Sequence, residues 1–259
     1  MVVVNRVVNL DAHRAAAMDG QTLVTPELKA LRQKYAGLTG PELLEKMIAS
    51  EFAGQIAVVS SFGAESAVLL HLVGQIDPTV PVIFLNTGKL FGETLRYRDR
   101  LQEKLGLTDV RSLHPHPKDL QEQDPNGTLW ALNPDACCNI RKVLPLQNAL
   151  QNFRASITGR KRFQTGARAA MPMIELERVE GGKDRFKINP LAEWTLDDIN
   201  AYAAKYDLPV HPLVKDGYPS IGCMPCTARV KPGGYREGRW AGLDKDECGI
   251  HNYNDGAGI

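Results

Sequence analysis

The chain has 259 residues, with 31 basic and 30 acidic side chains, a formal charge of +1 and 43% hydrophobic content. That balance excludes a grossly basic nucleic-acid coat and an acidic solvating tail, although a local basic pocket can hide in a neutral total. Nowhere does a run of about eighteen apolar residues occur, which excludes a membrane-spanning helix, and five cysteines are too few, and odd in number, for a disulfide scaffold.

The first segment, 1–20, has its apolar stretch broken by Asn5, Arg6 and Asp11, a pattern a secretory signal does not tolerate. A cytoplasmic protein is expected, with residues 1–40 as an N-terminal extension. A helical pattern covers 43–52. Short apolar runs at 56–60, 82–85, 110–113 and 156–158 read as buried parallel strands. Between them lie helical patterns at 64–73, 92–105 and 140–153, the first presenting Val68, Leu69, Leu72 and Val73 on one face. Strands alternating with helices predict an α/β fold, an open parallel sheet with helices on both faces, over residues 41–206. A further helix within 191–206 is capped by Thr195, with Asp197 and Asp198 in its first turn. From Asp207 onward, Pro209, Pro212, Pro219, Pro225 and Pro232 with Gly217, Gly222, Gly233 and Gly234 predict an irregular segment, 207–259. Its end, 247–259, is poor in core formers and is expected to be a mobile tail.

Ligands of open α/β sheets sit beyond the carboxyl ends of the strands, which directs attention to Ser60-Ser61-Phe62-Gly63-Ala64-Glu65-Ser66. A glycine and hydroxyl groups at a helix N-terminus suit an anion, because backbone N–H groups point outward and the helix dipole adds partial positive charge. The loop lacks the lysine of a P-loop ATPase. With Ser61, Gly63 and Ser66 it resembles the S-x-G-x-x-S pyrophosphate loop of the adenine nucleotide hydrolase-like superfamily. Leu85-Asn86-Thr87-Gly88 is similar to the L-D-T-G segment that lines the adenosine site there, with Asn86 in place of the usual Asp.

Four cysteines split into an adjacent pair, Cys137 and Cys138, and a C-x-x-C pair, Cys223 and Cys226, suggest a four-thiolate metal site. C-x-x-C by itself serves zinc, iron–sulfur clusters and redox disulfides alike. Adjacent cysteines suit a bulky cluster, in which two thiolates reach different iron atoms. The run Cys137-Cys138-Asn139-Ile140-Arg141-Lys142-Val143 opens a helix and carries two cations, which suit a net-negative group beside them.

Together, C-C-x-x-R-K-V, C-x-x-C and Glu247-Cys248-Gly249-Ile250-His251 resemble the cluster-containing assimilatory sulfonucleotide reductases that act on adenylylsulfate with thioredoxin. The resemblance spans residues 45–251. It implies a 4Fe-4S cluster on Cys137, Cys138, Cys223 and Cys226, positioning Lys142, and it implies that Cys248 is the nucleophile. Two further stretches carry it. Gly159-Arg160-Lys161-Arg162-Phe163-Gln164, with Arg168, is similar to the family's phosphate- and sulfate-contacting G-x-R-R-x-Q-S-x-x-R. Lys161 stands where an Arg is usual, and a lysine cannot make the two-toothed contact of a guanidinium. Arg236-Glu237-Gly238-Arg239-Trp240 resembles the family's R-x-G-R-W.

The implied reaction is reduction of adenosine 5′-phosphosulfate to sulfite and AMP through an S-sulfonate on Cys248. Adenosine is expected near Ser60, Ser61, Phe62, Gly63, Thr87 and Gly88. The phosphosulfate is expected among Ser66, Lys142, Arg162, Arg168, Arg236 and Arg239. The reductant is thioredoxin or a glutaredoxin-like protein, with no nucleic-acid or membrane partner, and a homo-oligomer is among the states left open. Alternative readings are a 3′-phosphoadenylylsulfate reductase, an ATP pyrophosphatase-type adenylating enzyme, and a non-enzymatic zinc-binding interaction module on the same four cysteines.

Overall fold

A computed structural model describes residues 24–179, 183–243, 245 and 247–250. Most of the N-terminal extension and the tail beyond Ile250, His251 included, lie outside the described residues. Helix α1 (Pro26–Lys34) starts on Thr25, whose side chain accepts from the Leu28 N–H. It buries Leu28 and Leu31 in the core, and Arg32 donates to the Ile174 carbonyl. Helix α2 (Gly40–Lys46) runs into a π turn (Met47–Glu51). Then β1 (Ile56–Ser60), α3 (Ser66–Ile76), β2 (Val82–Leu85), α4 (Gly92–Leu105) and β3 (Val110–Leu113) alternate as the apolar pattern predicts. Helix α4 ends at Gly106, whose φ of 64° provides the left-handed cap that other residues resist.

Short helices α5 (Pro117–Gln123), α6 (Leu129–Leu132) and α7 (Pro134–Cys138) follow. The chain stays helical through a π turn (Asn139–Val143) into α8 (Leu144–Leu150). After β4 (Ala155–Thr158) come β5 (Ile174–Glu177), β6 (Arg185–Ile188) and α9 (Leu196–Lys205), the last capped by Thr195 as expected. The six strands lie in the order β3-β2-β1-β4-β6-β5, parallel except for β5.

Side chains alternate across the sheet, so Val58, Val82 and Phe84 join one apolar cluster with α1 to α3, while Ala57, Ile83 and Leu85 join another with Leu146 and Leu150 of α8. Helices therefore cover both faces. One expectation needs correction. β3 is not a buried strand; it is the sheet edge, with Arg111 and Ser112 exposed. β5 and β6 escape an apolar search because Glu177, Arg185 and Lys187 are charged yet buried, joined by ion pairs of 2.8 and 3.0 Å. Among the described residues no helix is long and apolar enough to cross a membrane.

Candidate active site and thiol cluster

The strand order reverses between β1 and β4, and the crevice at such a point, beyond the carboxyl ends of the strands, is where ligands of open α/β sheets bind. A cavity of about 200 Å³ opens there. Ser60, Ser61, Gly63 and Ser66 from the β1–α3 loop line it, as do Lys142, Arg168, Arg236, Arg239 and Cys248. The loop is held in shape by Phe62, which has a φ of 48°, is fully buried, and meets Phe84 edge to face at 5.2 Å. Phe62 thus supports the loop from below instead of lining the cavity.

Three other expected residues also stand off the lining. Thr87 is buried beneath it, its hydroxyl 3.3 Å from Cys223 Sγ. Gly88 takes a φ of 69° next to the Arg141 guanidinium. Arg162 turns outward, donating to the Met171 carbonyl at 2.8 Å and to Glu193 at 3.0 Å. The neighbours Arg160 and Lys161 face inward. Arg160 is aimed by Thr158, Asn189 and Glu175, and Lys161 by an ion pair with Glu65.

Glu65 is the hub of one wall: Lys161, Gln164 and Tyr235 all donate to its carboxylate. Burial pushes the Lys161 ammonium below its ordinary pKa even with Glu65 beside it. Burial also opposes the charge on Lys142, but thiolate charge at Cys223, Cys248 and Cys138 favours it, and the net direction is a raised pKa. Of the other residues gathered here, Glu65, Arg160, Lys161, Gln164, Trp240 and Glu247 lie inside the stretches quoted from the sequence but without an expected site role of their own, and Tyr235 lies outside them. Only the cluster of basic residues after β4 offers a signal for the first inward-facing pair.

Cys137, Cys138, Cys223 and Cys226 line a second, small cavity, together with Arg141, Lys142 and Trp240. Two elements bring them together. The π turn after α7 keeps the Cys137–Lys142 stretch helical, and the C-x-x-C segment is pinned to the chain after β2 by a Leu90–Cys223 bridge and a 2.7 Å bond from the Met224 N–H to the Lys89 carbonyl. Burial raises the pKa of Cys137 and Cys226 and pushes Cys138 up to about 12. Arg141 is locked between the Thr87 carbonyl, at 2.8 Å, and the buried Asp124 carboxylate, at 2.5 Å.

Buried polar atoms are normally paired, and an orphan in a folded protein calls for an explanation. Arg141 Nε, Arg239 Nε and Trp240 Nε1 are buried donors without a hydrogen-bond partner among the described residues; Thr165 Oγ1 and Glu247 Oε1 are also without one, the latter lying 2.6 Å from an Arg168 nitrogen. The three nitrogen donors belong to residues lining these two cavities. Unused donors beside four thiols suit a sulfur-rich, net-negative group, and unused donors and cations in the larger cavity suit an oxyanion.

Residues 55–229 match the phosphoadenosine phosphosulfate reductase domain, and the chain belongs to that family. It is 49% identical over 240 residues to the adenosine 5′-phosphosulfate reductase of Mesorhizobium japonicum, covering 92% of this chain and 91% of that one. A protein of the same name from Mycolicibacterium smegmatis is 38% identical over 240 residues, covering 90% and 98%. Among solved structures, a phosphoadenylyl-sulfate reductase from Candida auris, in a phosphate complex, superposes with a TM-score of 0.66 at 25% identity, over 79% of this chain and 98% of that one. A Candida glabrata FMN adenylyltransferase shares the fold at a TM-score of 0.53 and 14% identity, covering 81% and 77%. The architecture is the adenine nucleotide hydrolase-like one.

Proposed function

We propose that this chain is an adenosine 5′-phosphosulfate reductase, releasing sulfite and AMP with electrons from thioredoxin. One observation carries the assignment of the nucleophile. Cys248 lines the same cavity as Lys142, Arg160, Lys161, Arg168, Arg236 and Arg239. The cations neutralise the phosphosulfate oxygens and stabilise the charge that develops on the departing phosphate. The Cys248 thiolate attacks the sulfate sulfur, the bond from sulfur to the phosphate oxygen breaks, and AMP leaves with the electron pair. Cys248 then carries an S-sulfonate, so one difficult step has become two. A thioredoxin thiolate attacks Cys248 Sγ and sulfite leaves. The second thioredoxin thiol resolves the mixed disulfide, so that a dithiol supplies the two electrons.

Cys137, Cys138, Cys223 and Cys226 would hold a 4Fe-4S cluster, a fit supported by the four thiols around one cavity and by the orphaned donors of Arg141 and Trp240. When bound, it ties the two cysteine pairs together and places net negative charge beside Lys142. All five cysteines are free, which suits a reducing cytoplasm. Neither a nucleic acid nor a membrane is needed by this reading.

Two measurements test it. Protein treated with adenosine 5′-phosphosulfate in the absence of reductant is expected to carry a sulfonate on the Cys248 peptide by mass spectrometry, and Cys248→Ser is expected to abolish both the adduct and sulfite release. A Cys248→Ser variant with wild-type turnover overturns the mechanism. Anaerobically purified protein is expected to be brown and to contain iron; colourless protein with one zinc would make the thiol site a zinc site instead.

A further inference from the structure

Cys248 enters the pocket between two anchors. Two residues after it, Ile250 packs with the apolar cluster of Leu85 and Leu146. The chain turns between them at Gly249, whose φ is 80° and whose Cα faces the Val143 side chain. One residue before it, Glu247 lies on Arg168: the guanidinium Nη2 donates to Oε2 at 2.7 Å and lies 2.6 Å from Oε1. Both side chains are only 10% exposed. Arg168 is itself fixed, its other terminal nitrogen donating to Gln164.

Glu247 is a residue of the tail, and yet its carboxylate sits among the pocket's cations. Arg160 and Arg236 also lie within its electrostatic reach, and Oε1 accepts no hydrogen bond although it is buried. A buried carboxylate is stable only when its charge is compensated. The Arg168 pair is what compensates it here, so the pair holds this stretch of the tail inside.

We propose that Glu247 is a positioning residue, an internal anion on Arg168 that docks Cys248 in the pocket and competes with an incoming oxyanion for the same guanidinium. The proposal rests on the functional reading above only for the identity of that oxyanion. Loss of the Glu247 charge then has two effects of opposite kind. Cys248 is released toward solvent, and the pocket, one negative charge poorer, binds an anion more tightly. A residue that merely supported the fold would weaken anion binding when replaced.

The test uses full-length, cluster-containing protein and the variants Glu247→Gln and Glu247→Asp. In ligand-free protein, alkylation of Cys248 by iodoacetamide, followed on its peptide by mass spectrometry, is expected to speed up by about tenfold in Glu247→Gln, the factor equivalent to about 1.4 kcal/mol. Glu247→Asp is expected to keep most of the protection. AMP, titrated calorimetrically, is expected to bind Glu247→Gln several-fold more tightly than wild type. Unchanged alkylation, or weaker AMP binding, overturns the proposal. Should Glu247→Gln fail to fold, Arg168→Gln removes the other half of the pair and is expected to expose Cys248 equally; wild-type alkylation in that variant overturns it as well. The alkylation arm does not depend on turnover. Wild-type protein that forms no sulfonate while its alkylation follows this pattern would refute the functional reading and leave the docking role standing.

Discussion

Gly222 has no side chain because Arg239 occupies the space. A Cβ on Gly222 would lie 2.4 Å from Arg239 Nη2, 2.6 Å from Cζ and 3.0 Å from Nε. On its other side the guanidinium stacks on Trp240, with Cζ 4.4 Å from the ring centroid. The arginine is thus held between a backbone and an indole, facing the cavity. In Gly222→Ala the guanidinium must move. The backbone has no need of the left-handed conformation here, and the Gly222 N–H keeps its bond to Thr227 Oγ1 at 3.2 Å. Losing the stack costs about 0.5–2 kcal/mol, offset by about 0.4–1 kcal/mol from a less flexible unfolded chain. The fold should therefore change in stability by less than about 2 kcal/mol. Catalysis should suffer far more, because a misplaced charge-stabilising donor typically lowers the rate on the order of 10²-fold. The assay is initial sulfite release from adenosine 5′-phosphosulfate with thioredoxin, beside a thermal melt of the same sample. On an Arg239→Ala background, adding Gly222→Ala should change the rate little, since both act through one guanidinium. Full activity in Gly222→Ala, or losses that simply multiply in the double variant, would refute this account of Arg239.

Two further outcomes follow from buried charge. Asp124→Asn leaves the Arg141 guanidinium, whose side chain is 7% exposed, without its counter-ion; urea denaturation should show a loss of about 3–5 kcal/mol. His211 is fully buried, accepting from the Leu213 N–H at Nδ1 and sharing a 3.1 Å bond with the Thr94 hydroxyl at Nε2. Burial lowers its pKa from 6.5 to about 4, so between those values the unfolded chain binds the proton and the folded one does not. Its contribution is complete above the unfolded pKa and erodes as the pH falls toward the folded one, by about 3 kcal/mol in all. His211→Gln should flatten that part of the stability–pH curve measured by urea denaturation; an unchanged slope would count against the buried neutral imidazole.

The inner strands were legible because β1, β2 and β4 are buried on both faces and therefore read as apolar runs, and α4 was legible to its last residue because Gly106 ends it. β5 and β6 were not, since the pairing of Glu177 with Arg185 and Lys187 appears only once the strands are adjacent. The same reasoning separates Arg160 from Arg162. Both are arginines in one short basic run, and their directions are set by partners distant in sequence, Glu175 and Asn189 for the first and Glu193 for the second. Spacing within a motif carries residue type, while inward or outward aim is decided by tertiary neighbours. Glu247 illustrates the limit most plainly, since nothing local in the sequence foretells a carboxylate lodged among arginines.

The small thiol cavity is assembled from two stretches separated by about 90 residues, one ending at Lys142 and the other pinned at Cys223 to the chain after β2. At about 5–20 residues per second of synthesis, the Cys137–Cys138 pair waits on the order of 5–20 s for Cys223 and Cys226 to be made. During that interval the newborn chain has only two of the four thiols that line the cavity. The cavity is therefore completed late in synthesis, and whatever it binds can meet all four thiols only after the second stretch has emerged.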